Sequence, residues 1–311
     1  MESDAMSAME RQQAATLLEA LREACANDPS QKESEVVESW ADQACAVRYL
    51  RARNHKHDAA LKMLRGSITW RASTQPQHAR CPRCAISPTA HTMRWAGVDV
   101  LGRPVCYMSF AHALDRGSSE SNALHVTYML ESMSARFQQM QSGLEKWVWF
   151  VDFKGFGLVD NNPLTGQRII TLLQNHYPER LGMVVIYDAP WLFSACWKAF
   201  RVVMDERTRE KVRFIALGDR TDAAWDFAPA ELRTWLHAEI DDVRRARASH
   251  ELPRHYWQGP RGADGGLGAQ EQTHDPRGTA SWLADPLYTP TPADLAGLTS
   301  PRVLAFANPP Q

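Results

Sequence analysis

HYPERLGMVVIYDAPWLFSACWKAF, from His176 to Phe200, decides the fold class. It opens on a charged turn, runs through the apolar stretch MVVIY at 183–187, stops at Asp188 and turns through Pro190 and Trp191 into helical spacing. A short apolar run bounded by turn residues and followed by a helical pattern is one strand-to-helix step of an α/β fold. The same alternation recurs on both sides. RPVCYMSF at 103–110, WVWFVD at 147–152 and VRFIAL at 212–217 read as strands, and 122–141, 165–174, 194–205 and 227–240 as helices. This predicts a mostly parallel sheet flanked by helices.

Upstream, helical spacing fills residues 9–26, a region that starts near Glu35 and runs into CAVRYLRAR at 45–53, and Asp58 to Arg71. Asp58 suits an N-cap or a first-turn acid. Residues 1–72 therefore read as an N-terminal helical module, and 73–96, with prolines at 76, 82 and 88, as an irregular insert. The sheet domain takes 97–258, with ELPRHYW at 251–257 as a closing strap. Residues 259–311 read as a loosely ordered tail, with Trp282, Leu283, Leu287 and Tyr288 as its apolar cluster.

The chain has 311 residues, 44% of them apolar, enough for one sizeable core, or for one core plus a small accessory domain. Its formal charge, 35 minus 36, is −1 and leaves no footprint of general nucleic-acid binding. Glu2, Asp4, Glu10 and Arg11 crowd an N-terminus without an export signal, and no apolar run approaches a membrane span. Cysteines 25, 45, 81, 84, 106 and 196 form no disulfide framework at this length. The expectation is a cytoplasmic protein that meets membranes peripherally and transiently.

Phosphate and nucleophile motifs are missing. No strand is followed by G-x-G-x-x-G, G-x-x-x-x-G-K-[ST] or G-x-S-x-G. Asp152 and Asp188 end two strands; without a nucleophile or metal beside them they read as acceptors for strand-end amides. His78, Cys81, Cys84 and His91 form H-x-x-C-x-x-C with a histidine seven residues on. Those ligand types suit a structural zinc ion that pins the insert. The alternative is two unbridged thiols with histidines nearby. Phe193, Trp197, Phe200 and Met204 make one apolar stripe, with Lys198 and Arg201 off it. From spacing alone such a stripe packs on a sheet.

Taken together, the landmarks resemble the CRAL-TRIO family, the yeast-type phosphatidylinositol and phosphatidylcholine transfer proteins. They are YLRARNHKHDAALKMLRGSITWR at 49–71, GVDVLGRPVCY at 97–107, WFVDFKGFGL at 149–158, the opening stretch, MDERTREKVRFI at 204–215 and the LP step at 252–253. The resemblance covers about residues 40–257. It implies a deep lipid pocket, with the stripe Phe193, Trp197, Phe200, Met204 on a helical gate over the acyl chains. It also implies a headgroup site of Arg53, Glu179, Arg180, Thr208 and Lys211. Without the resemblance Glu179 and Lys211 are ordinary surface charges. Members that carry phosphatidylcholine have small hydroxyl residues where this chain has Trp147 and Trp149, so a second-lipid pocket there would be reshaped or filled. An indole face can still attract a quaternary ammonium.

The function so implied is binding and transfer of phosphatidylinositol between membranes, without covalent chemistry or a required cofactor. The partners so implied are phospholipid, membrane surfaces, and a lipid kinase or a protein bound by the tail; nucleic acid is not among them. The alternatives are a lipid sensor or scaffold, a carrier of a sterol or retinoid, and last an enzyme built on Asp152, Asp188 or the Cys-His cluster.

Overall fold

The computed structural model describes residues 6–26, 31–79, 81, 91–111, 113, 119–140, 144–160 and 163–245. The strap at 251–257, the tail and Cys84 lie outside the described residues.

Four helices form the N-terminal module: α1 (Ala8–Ala26), α2 (Gln31–Trp40), α3 (Gln43–Ala52) and α4 (His57–Thr74). Their apolar stripes converge, burying Leu17, Leu21, Val37, Leu50, Leu64 and Ile68 in one core. The helix expected to run on from Glu35 through Arg53 is in fact two. Asp42 caps α3, its carboxylate accepting from the Cys45 N–H at 2.6 Å. A short acid that satisfies a free helical N–H starts a new helix better than it continues an old one. Asp58 lies in the first turn of α4, behind Lys56 at the cap. Asn54 and His55, both at positive φ, turn the chain from α3 into α4 and leave Arg53 at a helix end.

The sheet has five strands: β1 (Arg94–Val98), β2 (Pro104–Ser109), β3 (Trp147–Asp152), β4 (Leu181–Tyr187) and β5 (Val212–Ile215). They lie in chain order, β1 antiparallel to β2 and the rest parallel. Sequence spacing missed β1, whose start falls in the segment read as irregular. It is fixed by the turn rather than by its own pattern. The buried Asp99 carboxylate accepts from the Leu101 and Arg103 N–H groups and from the Arg103 guanidinium. Helices α5 (Ser119–Met140), α6 (Pro163–His176), α7 (Phe193–Val203), the short α8 (Glu206–Glu210) and α9 (Ala230–Arg245) complete the domain.

The two sheet faces differ. On one, Val105, Tyr107, Val148, Phe150, Val185 and Tyr187 pack against Leu232, Trp235, Leu236 and Ile240 of α9. Side chains alternate along each strand, so the next residue in each case faces the other way. Near the start of β3 that second face is filled, with Trp147 against Leu130, Met133 and Phe137 of α5. Farther along it is hollow, and Trp149, Val151, Val184 and Ile186 border a cavity of about 950 Å³.

Asp152 and Asp188 hold α9 in place. Arg244 donates to both Asp152 oxygens, at 2.7 and 2.8 Å, and to Asp188 Oδ2 at 2.8 Å. Tyr107 adds a 3.2 Å bond to Asp152, which is fully buried. The helical module docks through a similar polar seam. Arg71 makes a two-bond pair with Glu131 at 2.8 Å each, and Tyr177 donates to the same carboxylate at 2.7 Å. His176 stacks on Trp70, with ring centroids 4.2 Å apart, and pairs with Ser67 at 2.9 Å. Burial, reinforced by the Arg71 charge, holds the His176 imidazole down to about 3.

Candidate functional site

The cavity has an apolar body and a polar end. Its floor is the hollow sheet face, and its roof comes from Ile169, Ile170 and Leu173 of α6 with Phe193, Trp197 and Phe200 of α7. At the C-terminal ends of the strands, Phe110, Phe153, Phe156 and Phe193 touch ring to ring, with centroids 4.4 to 5.9 Å apart.

The stripe expected on the gate lies on this roof. Phe193, Trp197, Phe200 and Met204 all line the cavity, while Lys198 and Arg201 are exposed. The approach of α7 to α6 depends on a missing side chain. A Cβ on Gly166 would lie 2.2 Å from the Phe200 ring. Glycine is the residue that lets Phe200 lie against the α6 backbone.

The polar end sits where the chain enters β4 and β5. Arg53 reaches it from the end of α3, Glu179 from the turn before β4, Thr208 from α8 and Lys211 from the α8 C-cap. Arg207 ties α8 to α3 through a 3.3 Å bond to the Arg51 carbonyl, and the Lys211 carbonyl accepts from Val184 N–H at 2.8 Å. Asp205 caps α8, accepting from the Thr208 N–H at 2.7 Å and its hydroxyl at 3.0 Å. The hydroxyl oxygen of Thr208 keeps its acceptor capacity. Among the described residues, Arg53 and Lys211 enter no ion pair, and both border the cavity. Cations so placed suit a phosphodiester.

Two residues carried over from the resemblance stand elsewhere. Glu179 has φ of 59°, a left-handed conformation uncommon for glutamate. That kink sends neighbouring side chains in different directions. Glu179 borders the cavity, whereas Arg180 is buried away from it, donating to the Glu145 carbonyl at 3.1 Å beside the Arg48–Glu145 pair. Burial, then the nearby Arg48 charge, lowers the Arg180 guanidinium to about 10. Arg180 therefore braces the Glu145 turn on which Arg48 of the helical module docks, and is not among the cavity-lining residues. Trp147 and Trp149 share a sheet face, but only Trp149 borders the cavity. Trp147 is fully buried and stacks on Phe137, 7° from parallel at 6.1 Å. The strand alternation was legible in the sequence; how far α5 covers that face was not.

The Cys-His cluster also changes membership. His78 is exposed on a 3₁₀ turn (Pro76–His78), apart from the others. Cys81 and His91 are buried with Cys81 Sγ and His91 Nδ1 3.5 Å apart, and His125 of α5 joins them, its ring stacked on His91 at 4.5 Å. Burial above all keeps the His125 pKa below its ordinary value. No local spacing could have pointed to His125, which arrives on a separate helix. Among the described residues, no helix is long and apolar enough to cross a membrane.

The CRAL/TRIO domain model matches residues 90–222, and the CRAL/TRIO N-terminal domain model residues 15–66. A CRAL-TRIO domain-containing protein of Schizosaccharomyces pombe is 27% identical over 190 residues, 60% of this chain and 18% of that protein. The phosphatidylinositol transfer protein PDR17 of Saccharomyces cerevisiae is 27% identical over 188 residues, covering 56% of this chain and 53% of the relative. The phosphatidylinositol transfer protein CSR1 of Eremothecium gossypii is 24% identical over 201 residues, covering 60% and 44%. The match thus spans between 18% and 53% of the length of these relatives. The crystal structure of Sfh5 superposes with a TM-score of 0.52 over 71% of this chain and 84% of that one, at 17% identity, a likeness of fold.

Proposed function

We propose, from the premise that the chain belongs to the CRAL/TRIO lipid-binding and transfer family, that it extracts phosphatidylinositol from one membrane and releases it at another. The carrying observation is the cavity: a largely apolar space of about 950 Å³ whose polar end holds Arg53 and Lys211 outside any ion pair among the described residues. Each buried methylene is worth about 0.8 kcal/mol, so a chain drawn from a bilayer must enter an equally apolar space. The aromatic and aliphatic walls supply it. Arg53 and Lys211 meet the phosphate, and Glu179 and the Thr208 oxygen accept hydrogen bonds from ring hydroxyls. No bond is made or broken.

Membrane contact is transient and lies beside the gate. Trp191 and Val202, at the two ends of α7, are each 85% exposed, and Leu158 in the loop after β3 is 83% exposed. Such side chains can enter a bilayer surface while α7 swings away from α6. The test is transfer of labelled phosphatidylinositol between two vesicle populations, with phosphatidylcholine in parallel. The parent should move phosphatidylinositol, and Lys211→Ala should lower that transfer at least tenfold without changing the melting temperature. Equal transfer by the variant would sink the headgroup assignment, and no transfer of either lipid by the parent would sink the carrier reading.

A further inference from the structure

We propose that Cys81, His91 and His125 form a zinc site in the wall of the cavity. These three side chains are the one group of histidine, cysteine or acidic residues among the described residues whose ligand atoms all lie within 4.8 Å of one another. All three are buried. Cys81 Sγ and His91 Nδ1 stand 3.5 Å apart. Zinc–sulfur and zinc–nitrogen bonds of about 2.3 and 2.0–2.1 Å at the tetrahedral angle put such a pair about 3.6 Å apart. One thiolate and two imidazoles are a donor set that zinc accepts and magnesium or calcium does not.

An outer partner orients the His91 imidazole. Ser121, one turn before His125 on α5, lies 3.3 Å from His91 Nε2, which leaves Nδ1 facing the thiol. The Cys81 thiol and the Met93 backbone lie beside His125. A metal-bound histidine commonly has its second nitrogen held by a hydroxyl or a carbonyl in this way. One adjustment is needed. The two rings lie 13° from parallel, and an ion in the plane of both requires one ring to tilt off the stack.

The three ligands come from separate places: the residues after α4, the approach to β1, and α5. Bound zinc would therefore cross-link the connection between the helical module and the sheet domain to the helix that covers the sheet. His91 and His125 also line the cavity, so the ion would stiffen that wall. The site stands whatever the cavity carries.

The test uses the full chain, stripped with a chelator and reloaded with cobalt(II). One equivalent should bind and produce the thiolate-to-cobalt charge-transfer band with the visible bands of a tetrahedral ion. Cys81→Ser should lose the charge-transfer band. His125→Asn should lower affinity at least tenfold, and Ser121→Ala roughly ten- to a hundredfold. His78→Ala should leave affinity unchanged. X-ray absorption on the zinc-loaded parent, which needs no variant to fold, should give one sulfur and two imidazole neighbours. A parent that binds no cobalt, a band retained in Cys81→Ser, or a zinc shell lacking that donor set would overturn the assignment.

Discussion

Alanine at position 166 puts a methyl group where part of the Phe200 ring now lies. The added carbon would stand 2.2 and 2.5 Å from two ring atoms. Carbon atoms rest at about 3.5–4.0 Å, so the ring must retreat by more than about 1 Å. Backbone carries the methyl on one side, so α7 has to yield. Overpacking of this size costs about 1–3 kcal/mol. If α7 is the gate proposed above, the cost falls on the arrangement in which it lies on α6 and is relieved when it swings out. A bias of about 1–3 kcal/mol corresponds to roughly a 5- to 150-fold shift between the two arrangements. The assay is stopped-flow release of a fluorescent phospholipid from preloaded protein into excess acceptor vesicles. Gly166→Ala should speed release within that range. It should not weaken α6 itself, since alanine favours a helix over glycine by about 1 kcal/mol. Adding Phe200→Leu should return release toward the parent rate, because the clashing ring atoms are gone. Release by Gly166→Ala within twofold of the parent would refute the idea that Phe200 on Gly166 latches the roof.

Arg244→Ala leaves the Asp152 carboxylate buried without its cation, and loss of one partner from such a pair costs about 3–5 kcal/mol; urea unfolding should show it, and a loss under about 1 kcal/mol would mean that water replaces the guanidinium. His176 gives a pH dependence with a defined sign. The folded protein keeps this imidazole neutral down to about pH 3, while the unfolded chain protonates it near 6.5. The group is silent above that window, and within it stability falls by about 1.4 kcal/mol for each unit that pH drops. His176→Gln should flatten the slope of urea midpoint against pH between 6.5 and 4.5, and an unchanged slope would refute the assignment. Trp149→Ser should raise phosphatidylcholine transfer relative to phosphatidylinositol, because it enlarges the cavity. Trp147→Ser should instead destabilise the fold by about 3–5 kcal/mol, as a large side chain lost from a core does, with lipid preference unchanged; the reverse pattern would refute the placement of the two indoles.

The stripe Phe193, Trp197, Phe200, Met204 and the strands at 147–152 and 183–187 were legible because periodicity is a local property. Side chains three and four apart on a helix, or two apart on a strand, share a face whatever else the chain does. β1 was not legible, since it owes its place to Asp99 and the turn at 99–103 rather than to alternation of its own. The break at Asp42 was open to reading, because an aspartate three residues before a free helical N–H is a start signal.

By itself the sequence determined the alternation of strands and helices, the helical module in front of them, and the absence of phosphate and nucleophile motifs. It also carried the landmarks that place the chain among the CRAL/TRIO proteins. Only the tertiary structure decided which member of each neighbouring pair meets the cavity. Trp147 and Trp149 share a face, yet Trp147 is enclosed within the cluster that α5 builds, whereas Trp149 packs on that cluster's edge and borders the cavity. Glu179 and Arg180 are adjacent, yet a left-handed kink sends one to the cavity and the other into the module interface. Asp152 and Asp188 read as strand-end acceptors, and their partner proves to be Arg244, on a helix 92 and 56 residues away. His125 joined Cys81 and His91 in the same way. Spacing along the chain records which side of an element a residue occupies; what fills the volume on that side depends on elements far away in sequence, and only their packing reveals it.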